Sequence, residues 1–415
     1  MFPSSRREIS VPWQTTLPWV ESDYKADSHF LWRRTLSLVI DEHRQYLCDE
    51  VRLAAFRSAV LSTVRRGDVV LDLASGTGIM ALFACRSGAQ RVYSIEEGDI
   101  CVVAREVASA NGFADRIQFI KGHSRHVDLQ ERVDVVIADQ IGNFGFNAGL
   151  IQYFADARQR FLKPEGITIP RRLDLIVAPV EDHDLFGQVE FWNTRPAGFD
   201  FKSTRIFAAN TGYQVNLSPE SVCGEAAVIA TVDLNHATTK TFHGETKLRV
   251  LRSCTVHGLG GWFDAQLAKG ITMTNSPMGK PRIQRRQIYF PIDCAVPALE
   301  GDCVHVRMTV RPADSVVNWN VDIVDARSGD AKARFRHSTW KGMMLSREDI
   351  LRTQPGFRPK LIPRGEARRT VVNLCDGMRT VSEIEQELLK RHPNLFRNRD
   401  EAAVFVAEVV TRYAE

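Results

Sequence analysis

Three stretches of this 415-residue sequence place chemistry-bearing residues at spacings a reaction can use. The first is residues 138–149, ADQIGNFGFNAG, which follow the strand-like run VDVVIAD. A strand that ends in a carboxylate often marks the mouth of an α/β active site. Here the loop offers one acid, Asp139, as base or orienting group, then amides and glycines. Asn143 and Asn147 are candidate hydrogen-bonding partners for a substrate, or turn residues that tolerate a left-handed backbone. The second stretch is VLDLASGTGI, residues 70–79, where a strand carrying Asp72 turns through Ala74, Ser75, Gly76, Thr77 and Gly78. Glycines at such a turn let backbone approach a ligand closely. The third is SIE, which puts Glu96 at the end of the next strand, where an acid can hold two ribose hydroxyls.

These spacings select among cofactors. A dinucleotide site calls for G-x-G-x-x-G, with its glycines against a pyrophosphate. This chain has D-x-x-x-G-x-G and no third glycine. That pattern suits a ligand without phosphates, such as S-adenosylmethionine, with its methionine part over the loop and its ribose on Glu96. The plain alternative is a strand-to-helix turn with no ligand. His123, Ser124 and His126 follow the third strand, where an adenine edge would be read, with Ser124 the candidate contact. Two histidines at i and i+3 with no third ligand nearby do not make a metal site, and none is expected.

The elements that must hold these residues read as follows. DEVRLAAFRSAVLSTV spaces apolar residues at three and four, as a helix does. GDVVLDL, IMALFACRS, VYSIEE, a helix near 99–110, IQFIKG and VDVVIAD alternate strand and helix, the grammar of a doubly wound parallel sheet. After residue 170, LDLIVAPVE, EAAVIATVDL, TKLRVLRSCTV, RQIYFPID, CVHVRMTVRP and VNWNVDIVD read as strands with no long helix between them. They predict an all-β domain, barrel or sandwich. Near the C-terminus, Thr380 and Glu383 form a capping box. Val381, Ile384, Leu388 and Leu389 line one helix, and Ala402, Phe405, Val406, Val409, Val410 and Tyr413 line another. Length favours more than one domain. A net charge of +4 points to no nucleic-acid partner, and no apolar run is long enough to span a membrane. Eight scattered cysteines without a CxxC pair fit reduced thiols and a cytoplasmic protein.

Residues 40–340 resemble the protein arginine methyltransferases. HRQYLCDEVR is similar to the family's helix ahead of the glycine loop. FLKPEGITIPRRLDLIVAPVED is similar to its entry into the β-barrel, and VHGLGGWFDAQLAKGITMTNSP to a barrel hairpin. The resemblance implies a Rossmann-like S-adenosylmethionine enzyme with an all-β barrel domain and a head-to-tail homodimer, its dimerisation arm near 204–222. It implies that Arg52 grips the cofactor's carboxylate, that His43 relays a proton, and that Tyr46 sits beside the acceptor; packing or capping roles remain open for the last two. The sequence departs from the family at three points. Asp139 matches the first of two loop glutamates, and the second position falls at Ala148. RIQRRQ, residues 282–287, replaces a Thr-His-Trp motif, either as a solvated hairpin or with Arg285 and Arg286 near the pocket, where they repel a cationic substrate. ADSHFLWRRTL stands where the family has a tyrosine-rich helix.

The tail differs. Val372 through Ile384, VNLCDGMRTVSEI, resembles the PqqD-like domain, the peptide-recognition element of enzymes that modify ribosomally made peptides. That resemblance implies a small helical, winged-helix-like module to which a leader peptide adds a strand. The alternative is a small winged-helix-like cap that packs on the barrel or on the dimer partner. The expected organisation is an N-terminal helical segment (1–65), a cofactor domain (66–170), a β-barrel domain (171–341) and the C-terminal module (342–415). The expected function is methylation of a peptide, with a small-molecule N- or O-methyltransferase or a catalytically silent peptide-binding subunit as alternatives.

Overall fold

The computed structural model describes residues 38–236 and 240–414. The ADSHFLWRRTL segment lies outside the described residues. The chain divides into two compact units, Met1–Met343 and Met344–Glu415. The first unit starts with helices α1 (Leu38–Cys48) and α2 (Glu50–Thr63). Five strands follow: β1 (Val69–Leu73), β2 (Arg91–Glu96), β3 (Ile117–Lys121), β4 (Val133–Ala138) and β5 (Leu162–Ile169). They are joined in part by helices α3 (Ile79–Ser87), α4 (Cys101–Ala110) and α5 (Leu150–Arg160).

These strands form one parallel sheet in the order β3-β2-β1-β4-β5. VVLDL of β1 is buried along its whole length, as a strand covered on both faces requires. Strand order reverses between β1 and β4, and such a switch point opens the crevice where α/β sheets bind ligands. The register pairs Leu73 with Ala138. The glycine loop and the Asp139 loop therefore leave the sheet side by side.

Beyond β5 the strands are antiparallel. One sheet runs β7 (Tyr213–Val215), β12 (Gln287–Ala298), β10 (Cys254–Ala268), β6 (Arg172–Val180) and β8 (Ala227–Asp233), with β11 (Ile271–Thr274) on β10. A second runs β15 (Ala331–Ser338), β14 (Val316–Val324), β13 (Cys303–Arg311) and β9 (Phe242–Arg249). Among the described residues the ladders make two sheets rather than one closed barrel, with Phe263, Trp319 and Phe290 in a shared core. TKLRVLRSCTV, expected as one strand, is the end of β9 and the start of β10. The chain changes sheets there: Val250 N–H donates to the Asp302 carbonyl and Leu251 N–H to that of Cys223. Two helices interrupt the strands, α6 (His183–Glu190) and α7 (Arg205–Ala209). Asp182 caps the first, accepting from Leu185 N.

The second unit contains α8 (Arg347–Arg352), α9 (Pro363–Leu374), α10 (Val381–Arg391) and α11 (Arg399–Tyr413). Thr380 and Glu383 make both bonds of the capping box that starts α10. Ala367, Val371, Ile384, Leu388, Phe405, Val406 and Val409 form its own core. Val381 and Tyr413, placed on the apolar stripes from sequence, are exposed because they fall at helix ends. No strand occurs among the described residues of this unit, so strand addition to a small sheet has no sheet edge there.

Candidate functional site

The cofactor end of the site is built by the turn after β1. Ala74, Gly76 and Gly78 all take positive φ, at 51°, 54° and 77°. A β-carbon on Gly76 would come within 2.6 Å of His43 Cε1, so only glycine lets α1 close on the loop. Glu96 accepts from Gly76 N at 2.9 Å and from Gly98 N at 2.7 Å, and thereby fixes the loop. Asp72 is buried beneath it and accepts from Ala81 N at 3.0 Å, which anchors α3. Burial pushes the Asp72 carboxyl up to about 8.

Two cavities open on this frame. One, of about 300 Å³, is lined by Ile95, Glu96, Glu97, His123, Ser124 and Tyr153, among others. The other, of about 390 Å³, is lined by Arg52, Ala74, Gly76, Thr77, Asp139, Asn143, Asn147 and Arg285, among others. Glu42, His43, Tyr46, Ala74 and Gln140 border both, so they make one elongated cleft across the switch point. Ser124 Oγ is buried without a partner. An unpaired hydroxyl, an acid at the end of β2, and a glycine turn between them fit an adenosine with a methionine tail, which is S-adenosylmethionine.

At the acceptor end, three charged side chains meet. Arg52 Nε donates to Asp139 Oδ2. Arg52 Nη1 donates to the Tyr46 carbonyl at 3.0 Å, and the guanidinium lies 5.3 Å from the Tyr46 ring centre. Arg285 reaches the same carboxylate from the opposite element, with Nη2 3.2 Å from Oδ2 and Nη1 3.4 Å from Oδ1. All three side chains are about nine-tenths buried. Burial alone would push Asp139 up, but Arg285 and Arg52 outweigh it and hold the carboxyl below its ordinary range.

The position of Arg285 is fixed by its neighbours. Gln284 N donates to Asp49 Oδ2 at 2.7 Å. The Arg285 carbonyl accepts from Gln287 Nε2 at 3.1 Å, and the Arg286 carbonyl accepts from Asn275 Nδ2 at 2.8 Å. Asn275 also donates to the Asn143 carbonyl at 2.9 Å and accepts from Phe263 N, so its buried amide ties the acceptor loop to the β-domain.

The structure brings Arg52, Ala74, Gly76, Asp139, His43, Tyr46, Asn143 and Asn147 to one cavity, and Glu96 and Ser124 to the next. Asp72 and Gly78 support the loop without lining either cavity. Asn147 serves the turn: its Oδ1 accepts from Asn143 N at 2.9 Å and Phe144 N at 3.0 Å. Tyr46 donates its hydroxyl to Glu42 Oε1 at 3.0 Å. RIQRRQ is not a solvated hairpin as a whole, since Arg285 turns inward while Arg286 stays exposed. The unforeseen residues are Asp49, Asn275, Gln287, Gln140 and Tyr153. Only Asp49 carried a local signal, as an acid three residues before Arg52 in a helix N-cap position.

Residues 56–170 match the family described as ribosomal protein L11 methyltransferase, and residues 172–324 match the arginine methyltransferase oligomerization subdomain. Protein arginine N-methyltransferase 6 of Xenopus laevis is 28% identical over 286 residues, covering 66% of this chain and 84% of that protein. The chain is an arginine-methyltransferase-like, S-adenosylmethionine-dependent methyltransferase. Protein arginine N-methyltransferase 1 of Dictyostelium discoideum is 28% identical to this methyltransferase over 281 residues, covering 66% and 82% of the two chains. The crystal structure of Arabidopsis thaliana protein arginine methyltransferase 10 shares its fold at a TM-score of 0.63 and 22% identity, over 72% of this chain and 97% of that one. A Trypanosoma brucei PRMT1 enzyme–prozyme complex with AdoHcy does so at 0.65 and 22%, over 75% and 100%. Among the described residues no helix is long and apolar enough to cross a membrane.

Proposed function

We propose that this methyltransferase acts on a peptide whose acceptor is not a free guanidinium. One observation carries the reading: Asp139 is already occupied, on both oxygens, by Arg52 and Arg285. A cationic acceptor entering here would meet Arg285 where it needs a carboxylate. Nine residues along the same loop, Ala148 supplies no second acid to clamp a planar cation between two anions. A neutral or anionic acceptor faces no such conflict.

When bound, S-adenosylmethionine supplies an activated methyl on a sulfonium. The protein's own part is placement. Glu96 and Ser124 would hold the adenosine end, the loop from Ala74 to Gly78 would carry the tail, and Arg52 would meet its carboxylate. Asp139 orients Arg52 and Arg285, and His43 and Tyr46 wall the acceptor. Alignment of the reacting atoms and exclusion of water then carry most of the rate.

The C-terminal unit is proposed as the peptide-binding module, supported by its sequence likeness to PqqD-like domains and by its separate core. A homodimer is proposed from the match to an oligomerization subdomain, and a cytoplasmic location from the free cysteines. The test is mass spectrometry of methyl transfer to peptides encoded beside the gene, with full-length protein and a 1–343 truncation. A 14 Da gain on one peptide residue, lost on truncation, is expected. A gain on arginine at full rate overturns the acceptor assignment. Transfer that survives truncation removes the module from recognition.

A further inference from the structure

We propose that Arg285 is the acceptor-gripping residue and that the group it grips is a carboxylate, which leaves the site as a methyl ester. This rests on the reading of the chain as a methyltransferase whose acceptor is not a guanidinium, and it narrows the acceptor to one chemical class.

The first argument is the way Arg285 is held. Gln287 holds its carbonyl, and Asp49 and Asn275 hold the backbone of Gln284 and Arg286 on either side of it. Its guanidinium is not so fixed. Its contacts to Asp139 are 3.2 and 3.4 Å and the one to the Gly142 carbonyl is 3.5 Å. Charge-assisted N–H to carboxylate bonds run near 2.7–2.9 Å, at about that range when well formed. Arg285 is thus a buried cation with stretched bonds, on a rigid stem, facing the cavity that the glycine loop also lines. An incoming carboxylate offers its forked donors better geometry than Asp139 does, while Asp139 stays bound to Arg52.

The second argument is proton accounting. An amine, amide or hydroxyl acceptor must lose a proton to become a neutral product. Asp139 is committed to two guanidiniums and sits low, so it is a poor base. Glu42 accepts from the Tyr46 hydroxyl, and His43 is packed against Gly76. A carboxylate needs no base. One of its oxygens forms the bond to the methyl carbon as the carbon–sulfur bond of the methylsulfonium breaks, and the bonding pair goes to sulfur. The anion and the sulfonium cation cancel, and no proton moves.

The experiment uses the full chain with S-adenosylmethionine and a matched panel. It comprises synthetic peptides with Asp, Glu and a free C-terminus, their Asn, Gln and C-terminal amide counterparts, peptides rich in Arg, Lys and Ser, and small carboxylic acids. Products are read by mass before and after mild alkali. The inference expects a 14 Da gain on the carboxylate members alone, released as methanol by alkali. A base-stable product on an amide, amine or hydroxyl overturns the inference and leaves the peptide reading intact. Transfer to small acids but to no peptide overturns the peptide reading and keeps the inference. No transfer to any member overturns both, and a base-stable methyl on Arg285 itself overturns the gripping role. Arg285→Gln is expected to raise the acceptor KM about ten- to a hundredfold, with a smaller change in kcat and unchanged binding of S-adenosylhomocysteine. Arg285→Lys, which keeps the charge and loses the fork, recovers part of the KM loss. A variant that loses kcat alone, or cofactor binding, overturns the assignment.

Discussion

Gln284 N donates to Asp49 Oδ2 at 2.7 Å, a bond between residues 235 positions apart in the chain. It joins the N-terminus of α2 to the segment just ahead of β12 that carries Arg285. The other carboxylate oxygen caps α2 by accepting from Arg52 N at 3.1 Å. One buried acid therefore sets the origin of both arginines that flank Asp139.

Asp49→Ala removes the cap and leaves the Gln284 amide unpaired. A lost N-cap costs about 1 kcal/mol and a lost hydrogen bond to the carboxylate about 1 kcal/mol, so denaturant titration should show a loss of roughly 2 kcal/mol. Acceptor binding should weaken as well, because Arg285 loses its stem. A variant as stable as the wild type would remove Asp49 from this role.

Asp139→Asn tests the clamp. It leaves Arg52 and Arg285 facing each other without their counter-charge, a loss of roughly 3 kcal/mol by the measure of broken buried pairs. The sign with pH follows from the native carboxyl lying below its ordinary value. The wild-type advantage is complete above the ordinary carboxylate range. It is lost as pH falls through the depressed native value, where both proteins carry an uncharged group at 139. Parallel stability curves of the two proteins over the acid range would contradict the ion-pair account.

Asp72 behaves in the opposite direction. Its native carboxyl is pushed up to about 8 by burial, so the folded protein holds a proton that the unfolded chain gives up near its ordinary value. Stability therefore falls as pH rises from that ordinary value toward about 8. Asp72→Asn keeps an acceptor for Ala81 N and has no proton to lose. Its unfolding midpoint should be flatter than the wild type's from acid to mild alkali, in protein free of cofactor.

The parallel sheet was legible because its strands are short apolar runs punctuated by glycines and acids, and the motif residues cluster where those strands end. Asp72, Gly76 and Glu96 fell on the expected elements for that reason. Arg285 was ambiguous because a single polar stretch, RIQRRQ, contains both an inward and an outward arginine. Which one turns in depends on a local bond from Gln287 and on Asp49 and Asn275, which lie outside the stretch. The choice between a closed barrel and two sheets was likewise left open, since alternation within a strand does not say which strand it pairs with. Asn147 was open between a substrate contact and a turn residue; its Oδ1 makes the turn, while the residue also lines the cavity.

The two compact units make a separate prediction. Phe405 is 2% exposed in the core of the second unit, packed 5.2 Å from Phe396 between ring centres. Phe405→Ala should cost about 3–5 kcal/mol, which is most of what a helical unit of this size has to spare. Because the second unit has a hydrophobic core of its own, the damage should stay local. Hydrogen exchange should show loss of protection in α9, α10 and α11, with the parallel sheet and its affinity for S-adenosylhomocysteine unchanged. If peptide methylation is lost in the same variant while cofactor binding persists, the second unit is required for peptide use. If methylation persists with the unit unfolded, the peptide reaches the Arg285 cavity without it.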